Sequence, residues 1–198
     1  MLLKVNLGRL WPWVPWFKTA AQSACISAAA DLTTQWAVSE KKVDSSEGNG
    51  SSSSNQGGFD FRRAGSYGAF GFFYSGFVER LFYLKADSVF GVQSTFAVVS
   101  KKVAADSLVH ATLLYVPVFY MMTGLLQGLS LSDTFDRLNS QYSDTLRAYW
   151  MMWPGAVFVM FWAVPERNRI IFTAYCGFFE KCIYSWLELR SRSPGLAI

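Results

Sequence analysis

Charged residues almost disappear from five stretches of this chain, and these stretches predict its helices. Between Asp106 and Asp133, His110 is the only ionisable side chain other than tyrosine. Because a bilayer core needs about 20 apolar residues, this stretch predicts a transmembrane helix. The other stretches are shorter or carry one or two charges, and they cover residues 19–38, 64–78, 148–165 and 170–189. The pattern predicts four transmembrane helices and leaves open whether residues 170–189 form a fifth.

Residues 130–149 show a different pattern, in which apolar side chains recur at every third or fourth position. Acidic and basic residues lie off this stripe, and Ser132 is placed to cap the start of a helix. The spacing predicts an amphipathic helix that lies at the membrane interface and leads into the next span. The predicted fold class is therefore all-α: an integral membrane helical bundle with four to five transmembrane helices plus an interfacial amphipathic helix.

Small residues at helical spacing predict close contacts between these helices. Alanines share one face of the first segment, Gly71 lies in the second, and Gly124 and Gly128 form a G-x-x-x-G pattern in the strongest span. Helices in lipid associate through close packing, and small side chains let their backbones approach. We therefore predict Gly71, Gly124 and Gly128 as helix-packing residues.

Residues 44–58 combine serine, glycine and asparagine with no apolar side chain. Such a composition predicts a flexible, solvated linker. The predicted organisation is an N-terminal flank at residues 1–18, a first membrane helix at 19–43, the linker at 44–58 and the remaining bundle at 59–198. The first helix and the remaining bundle together form one domain.

The composition agrees with a membrane protein and excludes several other classes. Of the 198 residues, 52% are hydrophobic and 16% are charged, whereas a soluble domain carries about 25% charged residues. The net charge of +4 is too small and scattered for a nucleic-acid surface. Cys25, Cys176 and Cys182 have neither metal nor disulfide spacing, so we predict that they are reduced and buried. No phosphate-binding loop or nucleophile motif is present, and we predict no metal, no cofactor and no enzyme activity.

Five ionisable residues in or beside the apolar stretches are candidates for function: Asp31, Arg80, Asp106, His110 and Arg169. Charge inside a membrane segment costs about 2.5 kcal/mol or more, so each instance requires a reason. One interpretation is a polar pathway through the bundle, and the other is interhelical pairing with snorkelling at helix ends. His110 follows Asp106 by one helical turn, which favours a polar network over catalysis.

One further motif lies near the C-terminal end of the apolar stretches. Its residues are Trp153, Pro154, Phe161, Val164, Pro165 and Arg169. The motif resembles the signature W-P-x-x-Q-x-x-N-F-x-x-V-P-x-x-x-R of the Mpv-seventeen and peroxisomal-membrane-protein-twenty-two family. The similarity is that of a divergent member, since the signature's Gln and Asn are Val157 and Met160 here.

The resemblance implies a small integral protein of the mitochondrial inner membrane, with the peroxisomal membrane as the alternative. It implies channel-like solute permeation or a role in membrane homeostasis. The lost polar side chains favour a second function, that of a non-catalytic accessory subunit of a larger mitochondrial membrane complex. The expected partners are the lipid bilayer and either subunits of such a complex or further copies of the chain.

Overall fold

The computed structural model describes residues 14–47 and 58–192, which fold into five long helices without a strand. In chain order, α1 is Val14–Glu47, α2 is residues 61–90, α3 is Phe96–Leu126, α4 is Leu131–Ala163 and α5 is Glu166–Arg192. Helix α1 packs against α2 and α5, and α4 packs against α3 and α5. The predicted all-α class is confirmed.

Helix α1 is longer than the sequence pattern predicts. It begins at Val14 rather than at residue 19, and it continues to Glu47, into the segment predicted as a linker from residue 44. Neither glycine nor proline occurs between residues 39 and 47, so no helix-breaking residue interrupts the backbone before Gly48. The rest of the predicted linker, residues 48–57, lies outside the described residues, as do residues 1–13 and 193–198.

Helices α2 and α3 each contain a widened, π-helical stretch near the middle. These stretches are Gly71–Val78 in α2 and Asp106–Tyr115 in α3. In α3 the widened stretch ends just before Pro117, the proline in the middle of the strongest apolar run. Proline has no backbone N–H, so the usual helical bond is missing there, and widened turns are one way in which a helix accommodates such an interruption.

Helix α3 is the part of the described chain that is long and apolar enough to cross a membrane. It has 31 residues and a mean hydropathy of 1.5 over its most apolar window. The remaining long helices carry more charge or less apolar surface. The predicted amphipathic helix at residues 130–149 and the apolar run that follows it form one continuous helix, α4, which contains Pro154. At the start of α4, Leu131 and Phe135 of the amphipathic stripe are exposed.

A tight turn joins α3 to α4. Gly128 has a φ of 83°, Leu129 N donates to Gly124 O at 3.0 Å, and Gly128 N donates to Leu125 O at 2.9 Å. These two backbone hydrogen bonds, together with a glycine in the left-handed conformation, form the Schellman motif that commonly ends helices. The side chain of Ser130 accepts a bond from Asp133 N at 3.1 Å and caps α4, so the predicted cap at Ser132 is wrong.

Two of the three predicted packing glycines do lie where helices approach closely. A Cβ atom on Gly71 would lie 2.6 Å from Ser27 Oγ of α1, and one on Gly124 would lie 2.8 Å from Thr134 Cγ2 of α4. Gly128 differs, because α3 ends at Leu126 and Gly128 belongs to the turn. A glycine is needed at position 128 because of the positive φ, and not because of helix packing.

Candidate functional site

The first buried polar cluster joins α1, α2 and α5. Asp31 is completely buried, and its Oδ1 accepts hydrogen bonds from Arg63 Nε at 2.9 Å, from Arg63 Nη2 and from Ser185 Oγ at 2.7 Å. Arg63 Nη2 also donates to Ser185 Oγ at 2.5 Å. Both guanidinium bonds go to the same carboxylate oxygen, and each is a charge-assisted hydrogen bond, which is stronger than a neutral one. We call Asp31, Arg63 and Ser185 the arginine cluster.

Polar contacts extend from the arginine cluster to one end of the bundle. Gln35, one turn after Asp31, donates from Nε2 to Asp31 Oδ2 at 2.7 Å. Its Oε1 accepts a bond from the backbone N–H of Asp60 at 2.7 Å, at the exposed start of α2. The Asp60 side chain in turn caps α2 by accepting a bond from Arg63 N at 2.9 Å. The buried carboxylate of Asp31 is thus linked by one side chain to the bundle surface.

The second buried cluster joins α2, α3 and α4 around Asp106. Asp106 Oδ1 lies 3.1 Å from His110 Nδ1 and accepts a bond from Tyr83 at 3.2 Å, and Asp106 Oδ2 accepts a bond from Tyr149 at 2.6 Å. His110 Nε2 lies 3.2 Å from the hydroxyl of Tyr74. Both Asp106 and His110 are buried. We call these five residues the histidine cluster, in which three helices supply partners for one carboxylate.

A third cluster lies between the other two. The hydroxyl of Tyr115 donates to Glu180 Oε2 at 2.7 Å, and Lys181 Nζ donates to the same carboxylate oxygen at 2.5 Å and contacts the Tyr115 hydroxyl. Both charged residues are buried although they are neighbours in sequence on α5. The Lys181 ammonium also lies 4.8 Å from the centre of the Tyr115 ring, a cation–π contact. We call this group the lysine cluster.

These clusters form a line through the interior. Lys181 and Ser185 lie one turn apart on α5, which joins the lysine cluster to the arginine cluster. The ring of Tyr115 lies 5.4 Å from that of Tyr74 and 5.6 Å from that of Tyr149, which joins it to the histidine cluster. We call the three clusters together the polar line; all five helices contribute to it.

An ion pair outside the polar line, Lys102 with Asp87, lies beside the histidine cluster. The Lys102 ammonium donates to the carboxylate of Asp87, and it lies 4.7 Å from the centre of the Phe161 ring. Lys102 is buried, whereas the Asp87 side chain is one-third exposed. The ring of Phe161 also lies 6.1 Å from that of Tyr83, a member of the histidine cluster.

The structure brings together some of the residues proposed from sequence and separates others. Asp31, Asp106 and His110 belong to the polar line. Arg80 does not, because its guanidinium lies over the ring of Trp16, 4.5 Å from the ring centre. Arg169 lies within α5, and its side chain is outside the described residues.

Sequence reasoning missed Arg63 and the tyrosines. Arg63 looked like a charge of the loop that follows the serine-rich segment, yet it is buried. The available signal was its place one residue before the apolar stretch that starts at Ala64. The sequence analysis did not single out Tyr74, Tyr115 or Tyr149, although a buried tyrosine hydroxyl usually has a hydrogen-bond partner.

The signature residues form part of the core and the α4–α5 connection. Trp153 and Phe161 are buried on α4, Pro154 lies inside the same helix, and Val164 and Pro165 connect α4 to α5. Val157 and Met160, the two departures from the signature, are also buried in the core. Apolar side chains therefore fill the interior positions where the signature has Gln and Asn.

The described residues contain no group of three or more histidine, cysteine or acidic side chains that could hold a metal ion. The three cysteines are free, as the sequence predicts. Cys176 and Cys182 are half-buried, but Cys25 is exposed, so its predicted burial is wrong.

The described residues form an all-helical protein in which one helix, α3, is long and apolar enough to cross a membrane. Residues 124–185 match the model of the Mpv17 / PMP22 family, which is the family that the signature resembles under its abbreviated name. This part of the chain is therefore similar to the family. Proteins of the family are not known as enzymes.

Named relatives show the same similarity. Protein SYM1 of Eremothecium gossypii is 35% identical over 101 residues, which cover 51% of this chain and 55% of the relative. The mitochondrial inner membrane protein Mpv17 of Danio rerio is 25% identical over 125 residues, covering 63% of this chain and 70% of the relative. The Caenorhabditis briggsae protein of the same name is 29% identical over 72 residues, covering 36% and 38%.

The chain spans about half the length of the first relatives that it matches. The relatives' names support a location in the mitochondrial inner membrane, as predicted. No solved structure matches the chain.

Proposed function

We propose that this protein mediates channel-like solute permeation in the mitochondrial inner membrane, and that the polar line is its closed pathway. The observation that carries the proposal is that three buried polar clusters lie next to one another in the interior. Hydrogen bonds run from Asp60 at the exposed bundle end to the arginine cluster, and the ring of Tyr115 in the lysine cluster lies 5.4 and 5.6 Å from the rings of Tyr74 and Tyr149 in the histidine cluster. Ionisable residues within membrane helices are costly, and their usual place is along ion or solute paths.

The proposal includes an arrangement in which the bundle crosses the membrane with four to five of its helices. Large apolar side chains are exposed on the outer face of α3, among them Leu108, Val109 and Leu113. Asp31 of α1 and Arg63 of α2 instead pair inside the bundle, as do Glu180 and Lys181 of α5. Such a distribution, with apolar side chains outside and polar ones inside, is that expected of a membrane bundle.

Ion flux through liposomes that contain the purified full chain tests the proposal. We expect measurable flux for the wild type, changed by Asp106→Asn, which removes the charge of the histidine cluster. The double variant Asp31→Asn/Arg63→Met removes both charges of the arginine cluster without leaving either unpaired, and it should also change the flux. Asp144→Asn is the matched control, since the Asp144 side chain is exposed. Folded wild-type protein without flux would overturn the proposal.

A second function, that of a non-catalytic accessory subunit, is favoured by a different observation. Val157 and Met160 replace polar residues of the signature and are packed into the core. Apolar side chains at these positions can still pack densely and preserve the fold, but they lack the polar groups that a pathway requires. On this alternative, the polar line serves only to hold the helices together.

Native electrophoresis of gently solubilised mitochondria distinguishes the two functions. Migration of the tagged chain within an assembly of several subunits supports the accessory role. Migration as a monomer or a small oligomer, together with flux in liposomes, supports permeation. Either way we propose no catalytic role, because His110 is held between Asp106 and Tyr74 and no serine or cysteine nucleophile contacts it within the described residues.

A further inference from the structure

We propose that a groove between α3 and α4 binds a free fatty acid that carries a hydroxyl group in the middle of its chain. The groove has a volume of about 370 Å³ and is open on one side. Most of its lining is apolar and includes Leu108, Trp150, Pro154 and Phe158. We call it the acyl groove. The proposal goes beyond solute permeation and does not depend on it, because no lining residue belongs to the polar line.

The acyl groove lies on the outer side of α3, the helix that is long and apolar enough to cross a membrane. Leu108 borders the groove and is 62% exposed, so the opening faces lipid when α3 crosses the bilayer. At about 1.5 Å per residue, Ser107 and Ser100 of the lining lie about 6 and 16 Å along the axis from the midpoint of α3. A bilayer core extends about 15 Å from its middle. The groove therefore runs from the membrane interface towards the middle, as a single acyl chain does.

One polar side chain at the deep end of the acyl groove has no partner. Ser107 is 7% exposed and lines the groove, and its Oγ forms no hydrogen bond within the described residues. A buried hydroxyl without a hydrogen bond is unfavourable, and a chain of pure hydrocarbon offers it nothing. The groove is therefore better matched to a chain with a polar group at this depth.

A backbone carbonyl at the same end of the groove also lacks its usual partner. Pro154 lies inside α4 and has no N–H, so the carbonyl of Trp150, four residues earlier, loses the helical bond that it would otherwise accept. Trp150 is in contact with Ser107, because its Nε1 donates to Ser107 O at 2.9 Å. The deep end of the groove thus holds a hydroxyl that can donate and a carbonyl that can accept.

These two groups favour a hydroxyl over other polar groups on the chain. A hydroxyl accepts from one group and donates to another, so it can bond both Ser107 Oγ and the Trp150 carbonyl. A ketone or ester oxygen only accepts, and it would leave the Trp150 carbonyl without a donor. The ordinary phospholipid ester lies near the interface, too far from Ser107 to take this place.

The other end of the acyl groove offers a positive charge for the carboxylate of a fatty acid. Lys101 is exposed and lies about two turns before Leu108, on the same face of α3. Its long side chain can extend along the helix and place the ammonium at the interface. A carboxylate there forms a charge-assisted bond with the ammonium while its chain follows the groove inward to Ser107.

Displacement of radiolabelled ricinoleate from the full chain in nanodiscs of saturated phosphatidylcholine measures the binding. Ricinoleate and oleate differ only in the mid-chain hydroxyl, and α-hydroxyoleate carries its hydroxyl beside the carboxylate. We expect ricinoleate to bind about tenfold more tightly than either, because two hydrogen bonds form that the others lack. The methyl ester of ricinoleate should bind more weakly than the acid, since it has no charge for Lys101.

Two variants test the deep end of the acyl groove. Ser107→Ala removes the donor, and Pro154→Ala supplies the Trp150 carbonyl with a backbone N–H. Each should lower the preference for ricinoleate over oleate to about threefold and leave the affinity for oleate unchanged. Ser140→Ala is the matched control, because Ser140 is exposed on α4 and does not line the groove.

One variant tests the charged end. Lys101→Gln should weaken the binding of ricinoleate and of oleate but not that of the methyl ester, and Lys85→Gln, at an exposed position on α2, is its control. Equal affinities for ricinoleate and oleate, or for ricinoleate and α-hydroxyoleate, would overturn the proposal, and this comparison needs the wild type alone. An unchanged preference in Ser107→Ala, or equal effects of the two lysine variants, would overturn it as well.

Discussion

Loss of either member of the Asp31–Arg63 pair should destabilise the protein strongly. Both side chains are at most 1% exposed, and the carboxylate receives two bonds from the guanidinium. Asp31→Asn keeps the shape of the side chain but leaves the Arg63 charge buried without its counter-ion. Arg63→Met removes the guanidinium and leaves the Asp31 carboxylate with Ser185 and Gln35 alone.

The magnitude follows from the burial of the pair. Removing one partner of a buried ion pair costs about 3–5 kcal/mol, because an uncompensated charge remains away from water. For a chain of this length each kcal/mol corresponds to about 2–4 °C in the melting temperature. Each single variant should therefore melt about 6–20 °C below the wild type.

The double variant Asp31→Asn/Arg63→Met separates pairing from a general loss of contacts. It contains no unpaired charge, and replacing a buried pair with uncharged groups is often close to neutral. Its melting temperature should therefore lie well above that expected from adding the two single effects. Intrinsic tryptophan fluorescence during heating measures all three variants in the same detergent.

The exposed pair Arg147–Asp144 provides the control. Its side chains are 75% and 64% exposed and lie 3.4 Å apart. Exposed pairs contribute little to stability, so Arg147→Met should leave the melting temperature within about 2 °C of the wild type. If the two buried single variants melt like this control, or if their effects simply add in the double variant, the pairing of Asp31 with Arg63 is refuted.

Three further predictions concern the backbone, and each is measured as a melting temperature. Gly71→Leu should destabilise by about 1–3 kcal/mol because it forces α1 and α2 apart, whereas Gly155→Ala, with open space around it, should be neutral or stabilising by up to about 1 kcal/mol. Gly128→Ala should destabilise by about 1 kcal/mol or more because of its positive φ and its contact with Arg62. Ser130→Ala should cost about 1 kcal/mol through loss of the α4 cap, and an unchanged melting temperature for any destabilising change would contradict the contact assigned to it.

The sequence pattern predicted helices well because it rests on local properties. The long uncharged run after Asp106 predicted most of α3, and the spacing of apolar residues after Gly128 predicted the first half of α4. The pattern placed helix ends less well. At Glu47 the helix continues through polar residues, because helical hydrogen bonds do not require an apolar face.

The candidate site was only half predictable for a related reason. Asp31, Asp106 and His110 stood out as polar groups among apolar neighbours. Arg63 did not, because its partner lies 32 positions away on another helix and its own neighbours suggested a loop. No local pattern distinguishes an arginine that enters the bundle from one that remains in water; only the packing of α1 against α2 and α5 decides this.

The same packing explains why hydropathy alone distinguishes α3 from the other helices. Hydropathy counts each charged residue as if it faced its surroundings without a partner. In α5 the two charges that interrupt the apolar pattern, Glu180 and Lys181, bind each other and Tyr115 inside the bundle. In α1 the interrupting charge, Asp31, meets Arg63. The residues that lower the mean hydropathy of α1 and α5 are thus among those that hold these helices in the bundle, so a low hydropathy here reflects internal pairing as well as contact with water.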